Sequence, residues 1–255
     1  MSSRRIAAIA KRDLKALRTD FFPVMLLIVM PFVLMPFLQP AFKLALTVEG
    51  LHEATGAEQV IPGMAVTFGF FLVGNVSLGF YREHGWNTWE RLRASRAETS
   101  EILIGKMVAP LLQAVAQFVL LFGLGGFLMG LHVKGSLLAL CAVAAAFALF
   151  LVTTGLAVTA LCRSFIQANA VVNIGTLLLA GFAGALVPYT LLPGWAQDIS
   201  PVVPSYWAMQ GYKHAIIGEG ASVIEPILFL LGFALLSAVI ASWRFRLDDT
   251  KVGFQ

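Results

Sequence analysis

Six long apolar runs separated by short polar stretches lay out this chain, near residues 21–42, 60–81, 102–131, 137–161, 166–187 and 223–245. About 20 helical residues cross a hydrocarbon core of about 30 Å, so each run predicts a membrane-spanning helix. A different pattern precedes the first run. Ile6, Ala10, Leu14, Leu17 and Phe21 recur at intervals of three and four, with Arg4, Lys11, Lys15 and Arg18 on the other side. That spacing predicts an amphipathic helix over 1–20 lying in the membrane interface, a solvated basic leader being the alternative. The expected fold class is an all-α polytopic membrane protein: an interfacial helix over 1–20, then one six-helix transmembrane domain over 21–255.

Interruptions of the pattern add detail. Pro23, Pro31, Pro36 and Pro40 lie in the first run, and each interior proline removes a backbone donor, so that helix is expected to bend or end early. Gly69, Gly74 and Gly79 in the second run and Gly126-x-x-x-Gly130 in the third read as close helix packing. Residues 188–222 are half apolar, carry Trp195, Tyr206, Trp207 and Tyr212, and are broken by Pro193, Pro201 and Pro204. Such a segment suits helices that dip into the membrane without crossing, with an ordinary loop as the alternative.

Composition agrees: 58% of the 255 residues are apolar and 13% charged, against about 45–50% and about 25% in soluble domains. Of the 18 basic residues, 15 fall at the two termini or in or next to the connections after the second and fourth runs, Lys106 lying just inside the start of the third run, which leaves Lys43, Lys134 and Lys213 opposite. Basic residues concentrate on the cytoplasmic side, which predicts cytoplasmic termini and an even number of spans. The net charge of +4 then reflects topology and attraction to anionic lipid, and nucleic-acid binding is not indicated. Cys141 and Cys162 lie 21 residues, about 32 Å, apart on one predicted helix and cannot pair within it.

Enzymatic chemistry finds little support. His52, His84, His132 and His214 fall in connections without metal-ligand spacing, and no phosphate loop or His-Glu-x-x-His occurs. No catalytic or metal site and no ATPase site of its own is expected. The polar residues singled out inside the runs are neutral: Asn75, Gln113, Gln117, Asn169 and Asn173. The last two pairs are each four apart and so share a helix face. They mark either a polar strip along a substrate route or interhelical hydrogen bonding.

Residues 80–95, "FYREHGWNTWERLRAS", form the exception to this apolar chain. Asn87 with Glu90 fits a capping box and predicts a short helix over about 88–97. Trp86, Trp89 and Leu92, three apart, form its apolar edge, and Arg93 and Arg96 lie beside them. Tryptophan mixed with arginine suits protein docking better than a simple interfacial helix.

The segment "ERLRASRAETSEILIGKMVAPLL" resembles that of ABC-2 type permeases, which include the daunorubicin-resistance type, in Arg91-Leu92, the polar residues 94–100 and Gly105-Lys106. The segment after the fifth run is similar to the family's in Pro188, Leu192-Pro193, Trp195, Pro201, Trp207, Lys213 and Gly218. Ala94-Ser95 stands where the family usually has Thr-Pro, and Lys213 where it usually has Arg.

The resemblance implies the membrane subunit of an ATP-driven exporter in a bacterial inner membrane. Two permease copies, identical or different, would pair with two copies of a separate ATP-binding subunit, which would hold ATP and Mg. Residues 1–20 would be the connecting helix and about 86–97 the coupling helix, with Trp86, Trp89, Glu90, Arg91, Leu92, Arg93 and Arg96 docking the ATPase. Residues 188–222, with Pro188, Pro193, Trp195, Trp207 and Lys213, would be the outer re-entrant segment. Phe70, Phe71, Asn75, Asn169 and Asn173 would line the substrate pathway. The implied cargo is hydrophobic or amphipathic, such as a drug or natural product. A lipid or lipid-linked glycan, or a non-transporting anchor for a cytoplasmic partner, are the alternatives.

Overall fold

A computed structural model describes residues 2–19, 22–48, 50, 54–85, 88–95, 97–218 and 222–245. Helix α1 (Ser3–Thr19) is followed by α2 (Phe22–Val48), α3 (Ala57–Gly85), the short α4 (Trp89–Arg93) and α5 (Thr99–Val119). After α5 the chain widens into one π-helical stretch, Leu120–Gly125, and closes with α6 (Gly126–Met129). Then come α7 (Leu137–Leu161), α8 (Phe165–Phe182), the short α9 (Gly194–Ile199), α10 (Pro204–Ile217) and α11 (Ile224–Arg244). Six of these rods are long and apolar enough to cross a membrane: α2, α3, α5 continued through α6, α7, α8 and α11. The described residues contain no strand.

Helix α3 is the axis. Its apolar stretch is 78% buried, against 17% for α2 and 22% for α8 and α11, so it packs on all sides while those three keep a face for lipid or another chain. Between membrane helices the hydrophobic effect gives little drive, and close packing substitutes for it. At Gly155 of α7 an added Cβ would lie 2.6 Å from Val76 Cβ, so only glycine lets α7 and α3 approach that far. Beside it, Thr159 Oγ1 lies 3.0 Å from Ser77 Oγ and donates to Gly155 O at 2.7 Å, which satisfies the hydroxyls in the dry interior.

Ends are set by local chemistry. Ser136 and Ser164 cap α7 and α8 by accepting the N–H of Ala139 and Gln167. Gly130, expected to pack helix against helix, instead has φ +72° and terminates α6 as a left-handed cap. Helix α2 runs through Pro31, Pro36 and Pro40 to Val48 rather than ending early, and takes in residues 43–48 that the sequence assigned to a connection.

The segment between α8 and α11 is folded onto the bundle. Pro188 is buried, whereas Pro193 and Trp195 are exposed, Trp195 meeting Phe182 edge-on at 6.0 Å. Trp207 stacks on Phe229 of α11 at 4.0 Å and donates to Pro201 O, and Ser205 Oγ donates to Leu179 O. Half-buried Lys213 precedes Ala215, whose carbonyl accepts Ser136 N–H and so joins α10 to the start of α7.

Candidate functional site

One turn of α3, residues 80–84, gathers five other helices at the end of the bundle where α1 lies. Glu83, 4% exposed, accepts from Lys106 Nζ of α5 at 2.7 Å and from Arg12 Nη2 of α1 at 2.7 Å, both on Oε1. Lys106, also 4% exposed, reaches Asp13 of α1 at 3.3 Å and lies 4.8 Å from the centre of the Phe80 ring. Two cations and two carboxylates therefore balance where an isolated buried charge would be very costly. Burial raises the Asp13 carboxyl above the ordinary carboxylate range, the neighbouring Lys106 pulls it back, and Glu83 adds to the rise.

The same turn carries α4. The Glu83 carbonyl accepts Thr88 N–H at 3.0 Å, which hangs the start of α4 on the end of α3. The Trp89 ring stacks on His84 at 4.7 Å and meets Phe80 at 6.2 Å and Phe245, just beyond α11, at 5.9 Å. Tyr81 points the other way, donating to Cys162 O at 2.9 Å and meeting the Phe165 ring of α8 at 6.0 Å. Further along α1, Arg5 and the Ser2 backbone N–H both engage Glu101 at the start of α5.

These placements revise several expectations. Helix α4 is five residues, not ten, and Thr88 before it makes no side-chain cap. The capping box is Glu98 with Glu101 at the start of α5 instead. Trp89 is buried within the chain at 4% exposure, so it holds α4 from inside, while Glu90 and Arg91 are exposed and Leu92 is half-buried. Trp86, Arg96 and the side chain of Arg93 lie outside the described residues. The spans are not limited to neutral polar groups, because Glu83, Glu101 and Lys106 are buried in α3 and α5.

A second constellation lies between α2, α3 and α8. A cleft of about 220 Å³ among α2, α3 and α8 is lined by Phe71, Asn75, Asn169 and Asn173, with Leu27 and Phe165. Phe70 is not part of it. That ring turns into the core against Phe147 and Phe150. Asn173 Nδ2 donates to Asn169 Oδ1 at 3.2 Å, a bond within α8 rather than between helices. Gln113 Nε2 and both amide atoms of Gln117 have no hydrogen-bond partner among the described residues. Interhelical hydrogen bonding therefore does not account for these groups within one chain. No three His, Cys, Asp or Glu side chains among the described residues are placed to hold a metal ion.

An apolar bundle of six helices long enough to cross a bilayer, with a charge-paired, basic end and a polar cleft between helices, defines a multi-pass α-helical membrane protein. Residues 4–217 match the model of the ABC-2 type transporter membrane family, and the chain belongs to that family. Over 141 residues, 55% of the chain, it is 28% identical to the probable multidrug ABC transporter permease YbhR of Escherichia coli K12. It matches the protein of the same name from Escherichia coli O157:H7 equally. The matched segment covers 38% of the length of these curated relatives.

The hub at 80–84 was not anticipated. Two signals in the sequence pointed to it. Lys106 falls inside the third apolar run and Glu83 lies two residues past the second, and an ionisable residue at membrane depth is by default a functional pointer.

Proposed function

We propose that this chain is the membrane-spanning subunit of an ATP-driven exporter, with α4 receiving the ATP-binding subunit. The observation that carries the reading is the mounting of α4. In an ABC-2 family chain, a short helix presents Glu90 and Arg91 outward while Trp89 and the Glu83 carbonyl fasten it to the turn that ties α1, α5, α8 and α11 together. The basic bias supports a cytoplasmic position for this end, and the proposed membrane is a bacterial inner membrane. Two permease copies and two ATP-binding subunits would assemble, with nucleotide and Mg on the latter. Closure of the ATP-binding subunits would then move α4 and the hub as one body and tip the copies between two states.

The cleft of Phe71, Asn75, Asn169 and Asn173 is the proposed pathway. Its wall offers amide groups and aromatic faces without a charged group, which suits a hydrophobic or amphipathic cargo of drug or natural-product type. The naming of the YbhR relatives as probable multidrug permeases supports that class.

The test is co-expression with an ATP-binding-cassette subunit. The double substitution Glu90→Arg, Arg91→Glu is expected to cut recovery of the ATPase with the permease at least ten-fold while the permease remains inserted. Undiminished recovery would sink the docking assignment.

A further inference from the structure

A groove of about 390 Å³ opens between α1, α3 and α5, larger than the asparagine cleft and sharing Asn75 and Leu78 with it. Its walls change in chemistry along the bundle. At the α1 end stand Arg12, Arg82 and Lys106 with Asp13 and Glu83, and beyond them the lining is apolar, with Val76, Leu78, Ala109 and Pro110. Gln113 follows, seven residues and about 10 Å further along α5 than Lys106. Because α3 ends and α5 begins where Glu83 meets Lys106, Asn75, eight residues and about 12 Å back along α3, reaches the same depth as Gln113.

The charged end does not select an ion. Lys106 is held by both carboxylates, Arg12 by Glu83 and Thr88, and Arg82 is engaged as well. A bound anion would compete with carboxylates already in place, and a bound cation would meet three like charges. Gln113 differs from all of these. Its side chain is 8% exposed, yet its Nε2 has no hydrogen-bond partner among the described residues. A buried donor left unmet is costly, so a ligand oxygen that accepts from it recovers a loss that the folded chain carries by itself. The last torsion of a glutamine is soft, and a half-turn about it presents either end of the amide to the groove.

We infer that this groove binds one neutral, drug-sized compound through a carbonyl oxygen that accepts from Gln113 Nε2, with the apolar part of the compound along Val76, Leu78 and Pro110. The volume is that of a small-molecule site, and a mostly apolar wall with one or two placed polar groups is how such sites fix orientation. Asn75 offers a second amide at the same depth and brings the bound compound to the edge of the asparagine cleft. Binding needs no transport activity, so it stands or falls apart from the exporter reading.

The probe is benzophenone, a neutral diaryl ketone that attaches to nearby C–H bonds under near-ultraviolet light. It is applied to the full chain in neutral detergent, and the labelled positions are read by peptide mass spectrometry. Labelling should saturate and fall on residues 76–79 and 109–113. Anionic 4-benzoylbenzoate should label these positions at least five-fold less. Gln113→Leu should raise the half-saturating concentration about five-fold. Its unfolding temperature should stay equal or rise, because an unmet donor gives way to an apolar group, whereas a merely structural amide would lower it. Gly79 borders the groove, and a Cβ added there meets nothing within 4 Å. Gly79→Leu should therefore fill the groove and abolish the saturable labelling. It leaves the amide and the ion pairs alone, so it decides the matter should Gln113→Leu fail to fold. Labelling that does not saturate, equal labelling by 4-benzoylbenzoate, or unchanged labelling of either variant would overturn the inference.

Discussion

At residues 80–84, α3 is hydrogen-bonded to α1, α4, α5 and the end of α7 and packs rings against α8 and against Phe245 just beyond α11, whereas at residues 71–75, about 13 Å away on the same helix, it borders a cleft whose asparagines bridge no helices. The first region places charges in a dry site and then balances and cross-links them: Glu83 binds two cations, and Lys106 binds two carboxylates. The second leaves Asn169 and Asn173 bonded to each other on one exposed helix face. A cross-linked node transmits displacement, because moving one partner strains the rest. A polar surface without cross-bonds can exchange partners, which is what a passing molecule requires.

Five substitutions would test that contrast. Glu83→Gln should have the largest effect, since it leaves Lys106 and Arg12 without their shared carboxylate, and breaking a buried pair costs about 3–5 kcal/mol. It is expected to lower the unfolding temperature in detergent and to speed trypsin cleavage of α1 at the exposed Lys11, Arg12 and Lys15. Trp89→Ala removes an aromatic packed on His84, Phe80 and Phe245, a loss of about 3 kcal/mol or more. If Trp89 holds α4 from within, a cycle with His84→Ala should show coupling of at least about 0.5 kcal/mol. Additive effects would remove it from the node.

Asn173→Leu reverses the pattern. Only a bond within α8 is lost on an exposed face, so stability should shift by no more than about 0.5 kcal/mol, while substrate-stimulated ATPase activity of the assembled complex falls. A folding defect with normal stimulation would return these asparagines to packing.

The smallest effect concerns Asp13. Its carboxyl is raised by burial, so its contribution to folding is fully present below the ordinary value of 3.8 and is lost as pH rises through the raised one. Asp13→Asn should flatten that decline and leave stability at pH 7 equal to or above that of the parent. Thermal unfolding at pH 4 and pH 7 measures the difference.

The spans and the cleft were legible in the sequence because their signals are local. Bilayer length marks the helices, and a spacing of four puts Asn169 and Asn173 on one face. The facing of Phe70 was not legible, since one position along α3 separates the cleft from the core at Phe147. The node escaped for a related reason. Its ion pairs join residues 71 and 93 positions apart in the chain, and Arg12, Asp13 and Glu83 each look like ordinary loop or leader charges when read singly. Likewise Trp89 looked like a surface anchor until Phe245, from the far end of the chain, closed over it. The helix-start signal misled because Asn87 with Glu90 has the preferred residue types, whereas Glu98, which forms the capping box, is not a favoured cap.

The central claim is that α4 and the node move as one body when the ATP-binding subunits close. Spin labels at the exposed Ala94, just after α4, and at the exposed Ile166 of α8 report the distance across the node, with labelled chains diluted into unlabelled ones, and labels at Ala94 alone report the distance between chains. On adding ATP to the assembled complex, the distance within a chain should stay constant while the distance between chains changes. A nucleotide-dependent change within the chain, with the distance between chains unaltered, would contradict the account.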